Sequence, residues 1–166
     1  METASQYPGV DGVATYSEEL LVGYRWYDER GVDPAFPFGH GMGYTTFEID
    51  ALEVQTATDA FRVRFALRNT GARAGKAVPQ IYVRYPPGLG EPGAQLKGFD
   101  AIRLEVGERR GLTIDITSDD LKVFDEESGS RILPSGEYEF RAGFSSRDIR
   151  ATAVVYLRQS PADEPA

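Results

Sequence analysis

The sequence has no cysteine and a single histidine, His40, among its 166 residues. A disulfide framework, a thiolate nucleophile and a cysteine zinc site are therefore excluded, and little remains for a proton relay or a transition-metal site. The absence of cysteine is compatible with either redox compartment. No apolar run approaches the ~20 residues of a membrane-spanning helix, so no membrane partner is expected. The first residues, Met1 to Ser5, lack a basic stretch and an apolar stretch, so no signal peptide is expected. A basic excess is missing too. The net charge of −8 argues against nucleic acid, which demands a positive footprint. Acidic and basic residues are interspersed rather than clustered, as on an ordinary solvated surface.

What is present falls into two textures. Residues 1–46 show little alternation and are dense in aromatic side chains: Tyr16, Tyr24, Trp26, Tyr27, Phe36, Phe38 and Tyr44. Glycine and proline punctuate this arm, which reads as irregular chain packed on something larger than itself. Ser17-Glu18-Glu19 ahead of Leu20-Leu21-Val22 predicts one short helical turn, with a serine cap and carboxylates at its start.

Residues 47–158 read as strands. Phe61, Val63, Phe65 and Leu67 alternate with Arg62, Arg64, Ala66 and Arg68, which sends one face inward and a charged face outward. Leu112, Ile114 and Ile116 alternate with polar residues, as do Tyr138 and Phe140. Phe47 to Val54, Ala77 to Tyr85, Phe99 to Leu104 and Ile149 to Leu157 supply further β-rich runs, with turn signals between them. Ser118-Asp119-Asp120-Leu121 predicts a capped single helical turn. About seven short strands without a long helical pattern predict an all-β, immunoglobulin-like sandwich. Without a Cys…Trp…Cys spacing it would be of the fibronectin type III kind. The loop Pro86 to Gly93 should be an exposed excursion, because three prolines and three glycines cannot pair in a ladder. It could reach a substrate cleft or a neighbouring subunit, against the plain reading as a connector. Residues 159–166 read as a frayed, disordered tail.

No complete catalytic site is expected. His40 lies in Gly39-His40-Gly41-Met42-Gly43, the sequence has no G-x-S-x-G elbow, and His40 reads as a turn-exposed or packing residue rather than a general base. That glycine run lacks the G-x-G-x-x-G spacing of a dinucleotide loop, since position 46 is Thr46, and reads as a hinge. The carboxylate pairs Glu18-Glu19, Asp119-Asp120 and Asp125-Glu126-Glu127 have ordinary readings as caps and turns, against a glycosidic acid/base pair or a calcium site at Asp125, Glu126 and Glu127. No metal and no cofactor is called for. Tyr24, Trp26 and Tyr27 could form a sugar-stacking platform or a partner contact, although aromatics beside Leu20, Leu21 and Val22 are more often buried.

Several ordered strings carry a family resemblance. Tyr16-Ser17-Glu18-Glu19-Leu20-Leu21-Val22-Gly23-Tyr24-Arg25-Trp26-Tyr27-Asp28, followed by Phe36 to Phe47, resembles the end of the second, α/β sandwich domain of a family 3 glycoside hydrolase. Asn69-Thr70-Gly71, Gln80-Ile81-Tyr82-Val83, Gln95-Leu96-Lys97-Gly98-Phe99, Pro134-Ser135-Gly136-Glu137-Tyr138 and Gly143 to Ile149 resemble the C-terminal fibronectin type III-like domain that follows it. The resemblance runs from about Tyr7 to Leu157. Phe124 stands where many relatives carry tryptophan, which should alter core packing, and Glu19 replaces a small residue.

The resemblance implies a non-catalytic segment of a β-glucosidase-like enzyme. In that family the nucleophilic aspartate and the acid/base carboxylate lie upstream of Tyr16, so no catalytic role carries over to this chain. The segment would stabilise or shape its parent in carbohydrate degradation. An autonomous carbohydrate- or polymer-binding module is the alternative, with polysaccharide as its partner. The expected partner is the remainder of the glycoside hydrolase, or another copy of the chain. The arm could fold back on the sandwich or associate with a second arm. Self-association is the favoured expectation, because Arg62, Arg64, Arg68, Glu137, Glu139 and Arg141 make the outer faces polar.

Overall fold

In the computed structural model, residues 7–158 are described. The tail 159–166 and its expected fraying lie outside them. Eleven strands, one α-helix and one 3-10 turn follow in order. They are α1 (Tyr24–Glu29), β1 (Phe47–Thr56), β2 (Ala60–Asn69), β3 (Gly75–Ala77), β4 (Gln80–Arg84), β5 (Ala94–Phe99), β6 (Ile102–Leu104), β7 (Arg109–Thr117), the 3-10 turn (Asp119–Leu121), β8 (Val123–Asp125), β9 (Ser130–Ile132), β10 (Gly136–Gly143) and β11 (Ile149–Leu157).

Seven strands build two facing antiparallel sheets, β1-β2-β7 and β11-β10-β4-β5, and the other four form the ribbons β3-β6 and β8-β9. The alternation in β2 does what it promised. Phe61, Val63, Phe65 and Leu67 are buried, while Arg62, Arg64 and Arg68 face solvent. They meet Ile114 and Ile116 of β7 beside them, and Ile81, Val83, Tyr138 and Phe140 of the opposite sheet. Leu112 is only partly buried. Phe61 and Phe140 touch across the gap with ring centres 5.6 Å apart. Each fully buried side chain of this kind is worth roughly 1.5–3 kcal/mol, so this layer is what holds the sheets together. Ala66 departs from the pattern: on the outer face with the arginines, it is buried.

Local chemistry adjusts the predicted strands. The run Ala77 to Tyr85 divides at Pro79, which cannot donate to a ladder, so β3 leaves the main sheet and pairs with β6. β6 separates from β5 at Asp100, whose carboxylate accepts the Ala101 N–H at 2.7 Å, and β5 begins at Ala94, earlier than the run Phe99 to Leu104 suggests. The helical turn is present with Ser118 at its N-cap as expected, but the Ser118 side chain makes no capping bond, and Thr117 and Asp120 tie the turn instead. The Asp120 carboxylate accepts from the Thr117 N–H (2.9 Å) and hydroxyl (2.6 Å), and the Thr117 hydroxyl accepts in turn from the Asp120 N–H (3.2 Å). These bonds hold the Asp120 carboxyl below its ordinary pKa. Tyr138 donates its hydroxyl to the Pro134 carbonyl at 2.8 Å, closing a tyrosine corner. Burial pushes its pKa up to about 12.

Two expectations fail. Phe124 lies on the β8-β9 ribbon, 65% exposed, so a change there cannot act through the core. A strand this short at the molecule's edge has one face with nothing above it. The turn Ser17 to Leu20 does not develop into helix; the regular helix starts at Tyr24.

The loop between β4 and β5 is a two-part object. Pro87, Gly88, Leu89 and Gly90 are exposed, as expected, but Pro86 and Pro92 at its ends are buried. A Cβ on Gly136 would come within 2.8 Å of the Pro86 ring, which shows how closely the loop base is seated. Excising residues 87–90 should therefore leave the thermal midpoint nearly unchanged. Excising the whole loop, 86–93, should cost about 2 kcal/mol or more in urea unfolding, because two buried prolines leave the core. Equal stability of the two deletions would contradict this division.

Candidate interaction surface

The outer face of the four-stranded sheet is polar only in part. Register places Thr152, Arg141, Tyr82 and Leu96 side by side across β11, β10, β4 and β5. Tyr82 is nevertheless 1% exposed, because the arm folds back over it. The Tyr24 ring from α1 meets Tyr82 edge-on at 6.2 Å and stacks on Phe38 at 4.6 Å. The Tyr24 hydroxyl accepts from the Leu96 N–H at 3.0 Å. Of the two routes open to the arm, this is the fold-back route. Charges at 137, 139 and 141 pointed the other way because β4 is covered on both faces, and Tyr82 supplies the apolar seat that a two-fold pattern alone does not reveal.

Beside the seat the contact becomes polar. The buried Gln80 amide donates to the carbonyls of Gly39 and Phe144, both at 2.9 Å, and its oxygen accepts the Tyr82 hydroxyl at 2.6 Å. Burial is the main cause of the raised Tyr82 pKa, with Tyr24 and Asp28 adding to it. The Ser146 N–H donates to the Phe38 carbonyl at 2.9 Å. Gly39 is thus a docking point rather than a hinge. Its φ is 81°, and a Cβ there would lie 2.0 Å from the Gln80 oxygen.

Further along, residues 40–46 pass over a groove of about 930 Å³. Lys76, Val78, Phe99, Phe144 and Arg150 form part of its wall. Thr45, also on its wall, donates its hydroxyl to Asn69 at 2.8 Å.

The residues singled out by sequence distribute as follows. Tyr24 is committed to Phe38, Tyr82 and Leu96. Trp26 is partly buried and lies edge-on to Tyr27, at 81° and 5.4 Å, and Tyr27 is 38% exposed. The three rings do not share one plane. His40 is exposed and stacks on Phe36 at 5.5 Å. Its glycine run leads into β1 and not into a helix, so the phosphate-cradle geometry is absent from this stretch. Asp119 pairs with Lys122 and Arg131. Asp125 accepts from the Ser128 N–H and hydroxyl, which lower its pKa. Among the described residues no cluster of three or more acidic or histidine side chains could hold a metal ion.

Gln80, Asn69 and Arg147 carry the arm's attachment, and sequence reading named them only as parts of strings. Gln80 and Asn69 carried a signal, since each is a polar residue at the end of an apolar strand. Substituting Gly39→Ala should cost about 1–3 kcal/mol in urea unfolding, from both the positive φ and the blocked Gln80 contact. Gly41→Ala is the control, with nothing within 4 Å of its added Cβ, and should stay within about 0.5 kcal/mol. Equal effects of the two would show that Gly39 is not a docking point.

Comparison with known proteins agrees with this architecture. The family model of the fibronectin type III-like domain matches residues 77–146. A β-glucosidase from Rhizobium radiobacter is 37% identical over 165 residues, covering 97% of this chain and 20% of that protein. An exo-α-(1→6)-L-arabinopyranosidase from Bifidobacterium breve is 34% identical, covering 97% of this chain and 22% of that protein. The structure of β-glucosidase 3B from Thermotoga neapolitana matches with a TM-score of 0.85 and 38% identity, over 93% of this chain and 22% of that one. The chain thus spans about a fifth of the length of the relatives it matches. It carries a fibronectin type III-like domain and is homologous to the C-terminal part of the family 3 β-glucosidases.

Proposed function

We propose that this chain is the non-catalytic, stabilising segment of a β-glucosidase-type glycoside hydrolase, with residues 1–46 as the arm that joins it to the rest of the enzyme. The observation that carries this reading is the division of the arm's large side chains. Some are tied to the sandwich, through Tyr24, Phe38 and Gly39. Others, Tyr16, Leu20, Val22, Phe36, Met42 and Tyr44, stay exposed. Large apolar groups gathered on one short segment mark an interaction surface. In the parent, the preceding part of the enzyme is the cover; in the isolated chain, a second copy takes its place.

The relatives' names support a structural role over a sugar-selecting one. Proteins named for a glucosidase and for an arabinopyranosidase match this chain at similar identity over the same 97% of its length. A segment shared this evenly is a poor place to encode the choice of sugar.

Three measurements test the reading. Purified chain should not hydrolyse an aryl β-glucoside above a buffer blank; turnover that survives repurification would sink it. Light scattering should show concentration-dependent association that is lost in the triple variant Phe36→Ser, Met42→Ser, Tyr44→Ser, with an unchanged thermal midpoint. A wild-type chain that stays monomeric at all concentrations would show that this face is not sticky. Pull-down on insoluble polysaccharide should fail; retention that disappears in Trp26→Ala and Tyr27→Ala would establish the binding-module alternative instead.

A further inference from the structure

The loop between β10 and β11 makes contacts that the core does not need. Its Arg147 side chain spends its guanidinium on the arm. Nε donates to the Asp28 carboxylate at 2.7 Å and one terminal nitrogen to the Asp33 carboxylate at 3.0 Å. The other terminal nitrogen reaches the carbonyls of Tyr27 (3.4 Å) and Val32 (3.1 Å). These partners lie 114 to 120 residues away in sequence, and all belong to α1 or the few residues that follow it.

The loop is built to hold that side chain still. Ser145, 2% exposed, accepts the N–H groups of Arg147 (3.3 Å) and Asp148 (2.9 Å) on its hydroxyl. The Phe144 N–H donates to the Asp148 carbonyl at 2.9 Å, and a Cβ on Gly143 would lie 2.2 Å from that same oxygen. Next to the arginine, the Ser146 N–H holds the Phe38 carbonyl. One short loop therefore grips both α1 and the segment that follows it.

The helix needs the grip. α1 has six residues, no side-chain cap and no fully buried residue, and a helix this short is not stable by itself. Tyr24 pins its first turn to Tyr82, and Arg147 pins its last.

We propose that the β10–β11 loop is a clasp with Arg147 as its positioning residue, locking α1 across the Tyr82 seat so that the arm leaves the sandwich in one fixed direction. It concerns this chain alone and does not depend on the enzyme reading above. The planar fork of arginine is required, because a lysine ammonium cannot meet two carboxylates and two carbonyls from one position. Asp28, with its side chain 24% exposed, carries more of the pairing than Asp33, which is 94% exposed and screened by solvent.

Trp26 is the only tryptophan in the sequence and lies on α1, so its fluorescence reports on the clasped element. In the full chain, Arg147→Ala should raise acrylamide quenching of Trp26 by about twofold while the far-UV circular dichroism melt of the sandwich moves little. Arg147→Lys should resemble the alanine variant more than the wild type. Asp28→Asn, which alters only the arm, should give the same quenching change, and adding Arg147→Ala to it should give little more. Unchanged quenching in both single variants overturns the clasp. So does a fall in the sandwich melt for Arg147→Ala with Asp28→Asn unaffected, since Arg147 would then support the core and not the arm.

Discussion

The Gln80 side chain is where the arm and the sandwich depend on each other most directly. A buried amide must satisfy its donors and acceptor inside the protein, because leaving one unpaired costs roughly 1–3 kcal/mol. Gln80 meets that demand by joining three pieces of chain: the Gly39 carbonyl of the arm, the Phe144 carbonyl at the end of β10, and the Tyr82 hydroxyl on its own strand. The arm is thus part of the solution to a hydrogen-bonding problem in the sheet. Lifting it off would strand an amide hydrogen as well as expose a ring. This is why Gly39 takes a left-handed conformation in contact with a side chain, a geometry closed to other residues.

Asn69 plays the same part at the other end of the linker. Its amide nitrogen donates to the carbonyls of Arg73 (2.8 Å) and Leu104 (3.2 Å), and its oxygen accepts from the Thr45 hydroxyl and the Gly71 N–H (3.0 Å). The turn after β2, the β3-β6 ribbon and the linker converge on one buried side chain. Between Gln80 and Asn69 the linker is fixed at two points, and it crosses the groove between them. Closure of the sandwich obeys a similar rule of close approach. A Cβ on Gly98 would lie 2.6 Å from Ile114, so β5 can come down over β7 only with glycine there.

The strands and their inward faces were legible in the sequence because period-2 alternation and turn residues are local. Phe61, Val63, Phe65 and Leu67 declare a face without reference to anything else. The seat of the arm was not legible, for a physical reason. Tyr82 sits in Gln80-Ile81-Tyr82-Val83, a run buried on both sides, where alternation vanishes and the outward side chain cannot be told from the inward one. α1 escaped because six residues lack room for a 3.6-residue period, and Gly23 at φ 61° gives no side-chain cap to read. Phe124 misled in the opposite sense. Its core placement was expected from the tryptophan that relatives carry there, and the pairing of β8 with β9 in a ribbon of their own leaves it in solvent. The aromatic density of the arm was legible as a need for cover, but not the division of that cover between the sandwich and something else.

That division follows from what polar and apolar contacts do well. Hydrogen bonds and ion pairs contribute modest net stability but fix direction, since each tolerates only a narrow range of geometry. Apolar contact is stronger per residue and nearly indifferent to orientation. In this chain the directional contacts join the arm to the sandwich: Gln80 to Gly39, Leu96 to Tyr24, Arg147 to Asp28, Ser146 to Phe38. The non-directional groups, Phe36, Met42 and Tyr44, lie outside. An arm so arranged is oriented by its own sandwich before it meets any partner. The partner's contribution is then burial alone, without the entropic cost of ordering the segment at the moment of contact. On the reading proposed here, the sandwich contributes to its enzyme by presenting this surface already in place, which asks for no catalytic group and explains why the effort of the fold is concentrated around Tyr82.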